Sequence, residues 1–82
     1  MHIKKNIAIS DSGFIFNPGT GDSFSTNPVG LEMIRLMQEG KKREDIVLAL
    51  TSKYHVEPTT AEKDLAEFLM MLQTLQLVQE NE

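Results

Sequence analysis

The sequence predicts an α+β fold, a small three-stranded antiparallel sheet followed by three helices, and three observations carry that expectation. Residues 5–26 alternate short apolar stretches with turn residues, and three apolar stripes of helical period follow, over about residues 28–39, 43–54 and 60–75. The third is size: 82 residues support one core, so one domain spanning residues 1–82 is expected. The order of elements is densest between Phe14 and Gly30, which reads as strand, turn, strand and helix start.

Ile3, Ile7 and Ile9 fall on one side of a period-2 pattern, which predicts a half-buried strand over Lys5 to Ser10. Asp11-Ser12-Gly13 supplies the chemistry of a hairpin turn, because Asp bonds its own backbone two residues on and Gly tolerates positive φ. Phe14 and Phe16 share one face of the second strand and are assigned to the core. Asn17-Pro18-Gly19 suits a type II turn, with Pro18 presetting φ and Gly19 taking the left-handed position. In the third strand, Asp22 to Thr26, Phe24 is the large apolar anchor and Ser23 and Ser25 point to the other face.

Asn27-Pro28 predicts the first helix start: the Asn side chain accepts from an orphan N–H, and Pro at the first helical position has no N–H to lose. Leu31, Ile34 and Met37 repeat along its apolar stripe, Met33 and Leu36 widen it, and Gly40 is placed to end it. The second helix, Arg43 to Tyr54, groups Ile46, Val47, Leu50 and Tyr54, with Glu44 and Asp45 beside its positive end and Lys41 and Lys42 before it. For the third, Thr59 and Glu62 are spaced as a capping box and Pro58 blocks continuation of the second helix. Ala61, Leu65, Phe68, Leu69, Leu72 and Leu75 form its stripe; Leu77 and Val78 tuck back, and Gln79 to Glu82 are expected to fray.

Composition narrows the function. A chain this small cannot house a core and a deep active-site cavity together, which makes a monomeric enzyme a poor expectation. With no Cys and two His there is no thiolate set and no imidazole cluster, so neither a metal nor another cofactor is expected. No apolar run approaches the ~20 residues of a membrane span. Nor does an apolar signal region follow Met-His-Ile-Lys-Lys, so a soluble cytoplasmic protein without a membrane partner is expected. A net charge of −4 disfavours nucleic acid, whose binding draws on Lys and Arg neutralising phosphates, and favours a protein or peptide partner.

The side chains that could do chemistry do not converge. His2 lies at the terminus and His55 in a connection, while Glu39, Glu44, Asp45, Glu62, Asp64 and Glu67 read as caps and solvated helix faces. Gly19-Thr20-Gly21 lies between strands and lacks the Lys-Ser/Thr of a phosphate loop. Lys41-Lys42-Arg43 is the single basic run, yet a recognition helix bearing Glu62, Asp64 and Glu67 would repel DNA. Met70 and Met71 are adjacent and cannot both face one stripe, so one of them is expected at the surface, where flexible thioethers suit varied apolar partners.

Several marks occur in a particular order: two strand-turn-strand units with a Phe-rich pair, Ser25-Thr26-Asn27-Pro28-Val29-Gly30 leading into a helix, and a break at Gly40. Ile46 and Leu50 then share the second helix, and Asp64-Leu65-Ala66-Glu67-Phe68-Leu69 lies in the last. In that order and spacing, from about Ile7 to Val78, the chain resembles the PqqD family. The resemblance implies a small winged helix-turn-helix-like domain that is not an enzyme. It implies a peptide chaperone, or precursor-peptide recognition element, in the making of ribosomally synthesised and post-translationally modified peptides. Such a domain binds a precursor's leader peptide and delivers it to a peptide-modifying enzyme, often a radical S-adenosylmethionine enzyme.

The resemblance also implies where the leader lies: as an added strand beside Asp22 to Thr26, in the groove between that strand and the last helix. The expected peptide-binding residues are therefore Asp22, Ser23, Phe24, Ser25 and Thr26 on the strand, and Asp64, Glu67, Phe68 and Met71 on the helix. No Pro or Lys blocks that edge between Gly21 and Asn27. The alternatives are a winged-helix regulator that reads DNA through the last helix, and a dimerisation module that pairs the same edge with its own copy.

Overall fold

Alternation along one four-residue strand decides how the sheet sits on the helices. In the computed structural model, which describes residues 2–79, the elements run β1 (His2–Ile3), β2 (Ala8–Ile9), β3 (Phe14–Asn17), β4 (Asp22–Ser25), α1 (Pro28–Gln38), α2 (Arg43–Tyr54), α3 (Pro58–Thr74) and β5 (Val78–Gln79). Strands β2, β3 and β4 form an antiparallel sheet in that order. Ile15 and Asn17 on β3 are turned inward and are only 1% and 3% exposed, whereas Phe14 and Phe16 are 47% and 38% exposed. This reverses the assignment of Phe14 and Phe16 to the core. Alternation tells which residues share a face, not which face the helices cover. Here Ile15 stands opposite Phe24, and that pair faces the helices.

The expected strand over Lys5 to Ser10 is interrupted. Ile7 N–H donates to Lys4 O at 3.3 Å across a turn, leaving β2 two residues long, while Ile3 belongs to a separate two-stranded sheet in which β1 pairs with β5. All the same, Ile3 and Ile7 are buried and Ile9 packs against the core, so the inward side of the pattern is as the period predicts. The β1–β5 pair sets His2 against Gln79 and Ile3 against Val78, and Lys4 N–H adds a 3.0 Å bond to Leu77 O. Gln79 is thus paired rather than frayed; Glu80 to Glu82, expected to fray with it, lie outside the described residues.

The β3–β4 turn also differs from the type II expectation. Gly19 does not take positive φ; Gly21 does, at +82°, after Thr20 and Gly21 N–H both donate to Asn17 O, at 3.3 and 2.8 Å. A four-residue loop built in this way needs its left-handed residue at the end. Asn17 holds it from inside: Oδ1 accepts from Gly19 N–H at 2.9 Å, and Nδ2 donates to Gln76 O at 3.1 Å. That second bond ties the hairpin to the end of α3, and a buried amide with both ends partnered avoids the cost of an unsatisfied polar group.

The helices follow their local signals closely. Asn27 Oδ1 accepts from Gly30 N–H at 2.8 Å with Pro28 at the first position, as the sequence predicts. At the other end of α1, Gly40 N–H donates to Met37 O and Lys41 N–H to Leu36 O, the paired bonds of a Schellman motif with Gly40 at φ +80°. Helix α2 has the predicted bounds and buries Ile46, Val47 and Leu50. Helix α3 starts earlier than its Thr59–Glu62 capping box requires. Pro58, with its φ already fixed, occupies the first position after Glu57, so Thr59 lies inside the helix and cannot cap it. Its buried side is Ala61, Leu65, Leu69 and Leu72. Ile15, Ile34, Leu65 and Leu72 are the most completely enclosed large side chains, each worth about 1.5–3 kcal/mol of burial. No helix among the described residues is long and apolar enough to cross a membrane.

Candidate functional site

The sheet ends at β4, whose side away from β3 meets no other strand among the described residues. Which backbone groups face outward follows from the ladder. Thr26 N–H donates to Gly13 O at 2.8 Å, so residues 13 and 26 form a hydrogen-bonded pair, and with Ile15 opposite Phe24 the next such pair is two residues along. The pairs between them, Phe14 with Ser25 and Phe16 with Ser23, are the non-bonded kind. Ser23 and Ser25 therefore turn their N–H and C=O groups away from β3, giving two donor–acceptor sets about 7 Å apart along the edge. Asp22, opposite Asn17 in the bonded series, turns its groups towards β3 and contributes no outward donor; its N–H is held at the turn by Thr20 Oγ1 at 3.2 Å.

Beside this edge runs a groove of about 480 Å³ between the end of β4, the first turns of α1 and the middle of α3. Phe24, Val29, Gly30, Met33 and Phe68 give it an apolar floor, and Ser25, Thr26 and Asn27 form the sheet side. Asp64, Glu67 and Met71 form the α3 side, and no Lys or Arg lines it. Helical spacing explains the α3 set, since residues 64, 67, 68 and 71 recur at three and four and share a face. The floor is close-packed: a Cβ on Gly30 would overlap Thr26 Oγ1 and lie 3.1 Å from Phe68 Cε1. Glycine there lets the sheet-to-helix junction and α3 approach each other. The Asn27 cap fixes the junction's angle by holding Gly30 N–H.

Of the residues expected at the site, Phe24, Ser25, Thr26, Asp64, Glu67, Phe68 and Met71 are brought together in this groove. Ser23 lies on the same edge through its backbone alone, and Asp22 stands farther along at the turn. Val29, Gly30 and Met33 also line the groove, beyond the residues expected from the sequence; the signal for them is a glycine inside the first turn of an otherwise apolar helix, which costs helix stability unless something packs against it. Met70 and Met71 are both at the surface, 66% and 38% exposed, where only one was expected, and only Met71 reaches the groove. His55 is exposed at φ +57° at the end of α2, apart from the groove. No group of three or more His, Asp or Glu among the described residues is arranged to hold a metal ion.

Residues 13–78 match the family described as coenzyme PQQ synthesis protein D (PqqD). Among solved structures, TbiB1 in complex with the TbiA(beta) leader peptide is similar with a TM-score of 0.88 and 32% identity, over 100% of this chain and 99% of that one. Lasso peptide synthetase B1 complexed with its leader peptide has a TM-score of 0.85, covering 96% of each chain, and at 23% identity supports the fold alone. No curated protein matches the chain in sequence.

Proposed function

The chain belongs to the PqqD family, and from that membership we propose that it binds the leader segment of a precursor peptide and presents it to a peptide-modifying enzyme, performing no chemistry itself. The leader adds as a strand on β4, bonding the outward groups of Ser23 and Ser25, and its inward side chains enter the groove over Phe24 and Phe68. The supporting observation is the coincidence of a free strand edge with an apolar-floored groove of a size that takes one or two side chains. Strand addition supplies affinity through the main chain, the floor selects apolar side chains, and Asp64 and Glu67 favour a leader bearing Lys or Arg nearby. The proposed place of action is the cytoplasm, where ribosomal precursor peptides are made.

DNA reading by α3 is not favoured, because Glu62, Asp64 and Glu67 are all exposed on it. Titration of the isotope-labelled protein with the leader of a precursor peptide encoded beside it tests the proposal. Amide resonances of Ser23, Ser25 and residues 64–71 are expected to shift; unchanged spectra at hundreds of micromolar peptide overturn it. Sedimentation at dilute concentration separates this use of the edge from pairing with a second copy, which would give a dimer.

A further inference from the structure

A second groove, of about 460 Å³, opens where the end of α1 and the start of α2 meet α3. Its floor is the narrow exposed edges of Met37, Ile46 and Leu69, with the enclosed Leu65 beneath them, and its rim carries Lys41, Lys42 and Arg43, with His2 of β1 also lining it. Glu44 is the one carboxylate that lines it. In a chain of net charge −4 this lining therefore has the opposite sign. The three cations are exposed and make no ion pair among the described residues, whereas Arg35 is paired with Asp11 and Lys53 with Glu32. The Schellman turn at Gly40 and the start of α2 hold the basic run at the mouth of the apolar floor.

We infer that this groove docks an acidic segment of a partner protein, its carboxylates on Lys41, Lys42 and Arg43 and one apolar side chain on the floor. Charge complementarity selects the occupant. A run of phosphates would also meet the cations, but the apolar floor would add nothing to its binding. No residue lines both grooves, because Leu65 and Leu69 lie on a different side of α3 from Asp64, Phe68 and Met71. A peptide in the first groove and a partner in the second can therefore be held at once. The inference needs no ligand in the first groove, so either reading can fail alone.

The test is an amide-resonance titration of the full chain with three probes: a hexapeptide of alternating Leu and Glu, its analogue with Gln for every Glu, and a dodecamer of oligothymidylate. The acidic hexapeptide is expected to shift Met37, residues 40–44 and Leu69, to bind about tenfold more tightly than the Gln analogue, and to lose about tenfold in Lys41→Glu/Lys42→Glu. Equal binding of acidic and neutral hexapeptides, equal shifts from oligothymidylate, or no shift at millimolar probe each overturns the inference. The comparison of the three probes on the native chain decides the matter even if the double variant does not fold.

Discussion

Gly30 and the ring of Phe68 meet so closely that a Cβ at position 30 would lie 3.1 Å from Phe68 Cε1, and it would overlap Thr26 Oγ1 as well. An alanine in a helix ordinarily gains up to about 1 kcal/mol over glycine, whereas overpacking costs about 1–3 kcal/mol. Gly30→Ala is therefore expected to destabilise by about 1 kcal/mol, read by urea denaturation. Adding Thr26→Ala removes the overlapping oxygen, and the double variant is expected to recover part of the loss. A Gly30→Ala protein more stable than the native one would contradict the packing described.

Ile15→Ala should cost about 3 kcal/mol, because the side chain is almost fully enclosed and the cavity cannot collapse against Phe24 and the helices. Phe14→Ser, on the opposite face of the same strand, should cost less than about 1 kcal/mol. Chemical denaturation of the two variants side by side checks the orientation of β3. The reverse order would mean that the strand faces the other way.

Removing Asn17 strands Gly19 N–H and Gln76 O without partners, so Asn17→Ala is expected to lose about 1–3 kcal/mol. Asn17→Asp keeps the shape but sets a carboxylate against Gln76 O. Burial and that carbonyl raise the folded-state pKa of the introduced acid above its unfolded value. Its deficit relative to the native protein is full at neutral pH, and it shrinks as pH falls through the raised folded-state value towards the unfolded one. Thermal melts of both proteins from neutral to acid pH test this, and a deficit independent of pH would count against the contact.

Ser25→Pro removes an outward donor of β4 while leaving the bonds to β3, which run through Phe24 and Thr26. The variant is expected to fold with a stability change of no more than about 1 kcal/mol and to bind leader peptide at least about tenfold more weakly. Calorimetric titration reads the second quantity. Unchanged affinity would remove strand addition from the proposed mode while leaving the groove.

Charge on the α3 side of the groove should be felt through salt. Asp64→Asn and Glu67→Gln are each expected to weaken a Lys- or Arg-bearing leader by a few fold, on the order of 1 kcal/mol, and to flatten the dependence of affinity on ionic strength. A steep salt dependence retained in the double variant would place the attraction elsewhere.

The helices were legible because their signals are local. The Asn27-Pro28 start, the Gly40 stop and the stripe of Ile46, Val47 and Leu50 each act within one or two turns, and the bounds of α2 follow them. Pro58 misled only because two starts compete within two residues, and the one with φ already fixed prevailed over the Thr59 cap. The inward face of β3 was not legible. Phe14 and Phe16 outrank Ile15 and Asn17 in apolar area, and what turns Asn17 inward is its bond to Gln76, almost sixty residues away. The β4 and α3 sides of the groove are where the family resemblance places them, while the contribution of α1 depends on how closely Gly30 lets two elements approach.

The pairing of β1 with β5 sets the two ends of the described chain side by side, His2 against Gln79. A ring made by joining them would need only a short linker, and the backbone could then be opened at a surface loop without altering the order of sheet and helices. The same clasp joins residues far apart in sequence, and its inward side chains, Ile3 and Val78, belong to the core, so the pairing seals the helices from below as well as closing the chain.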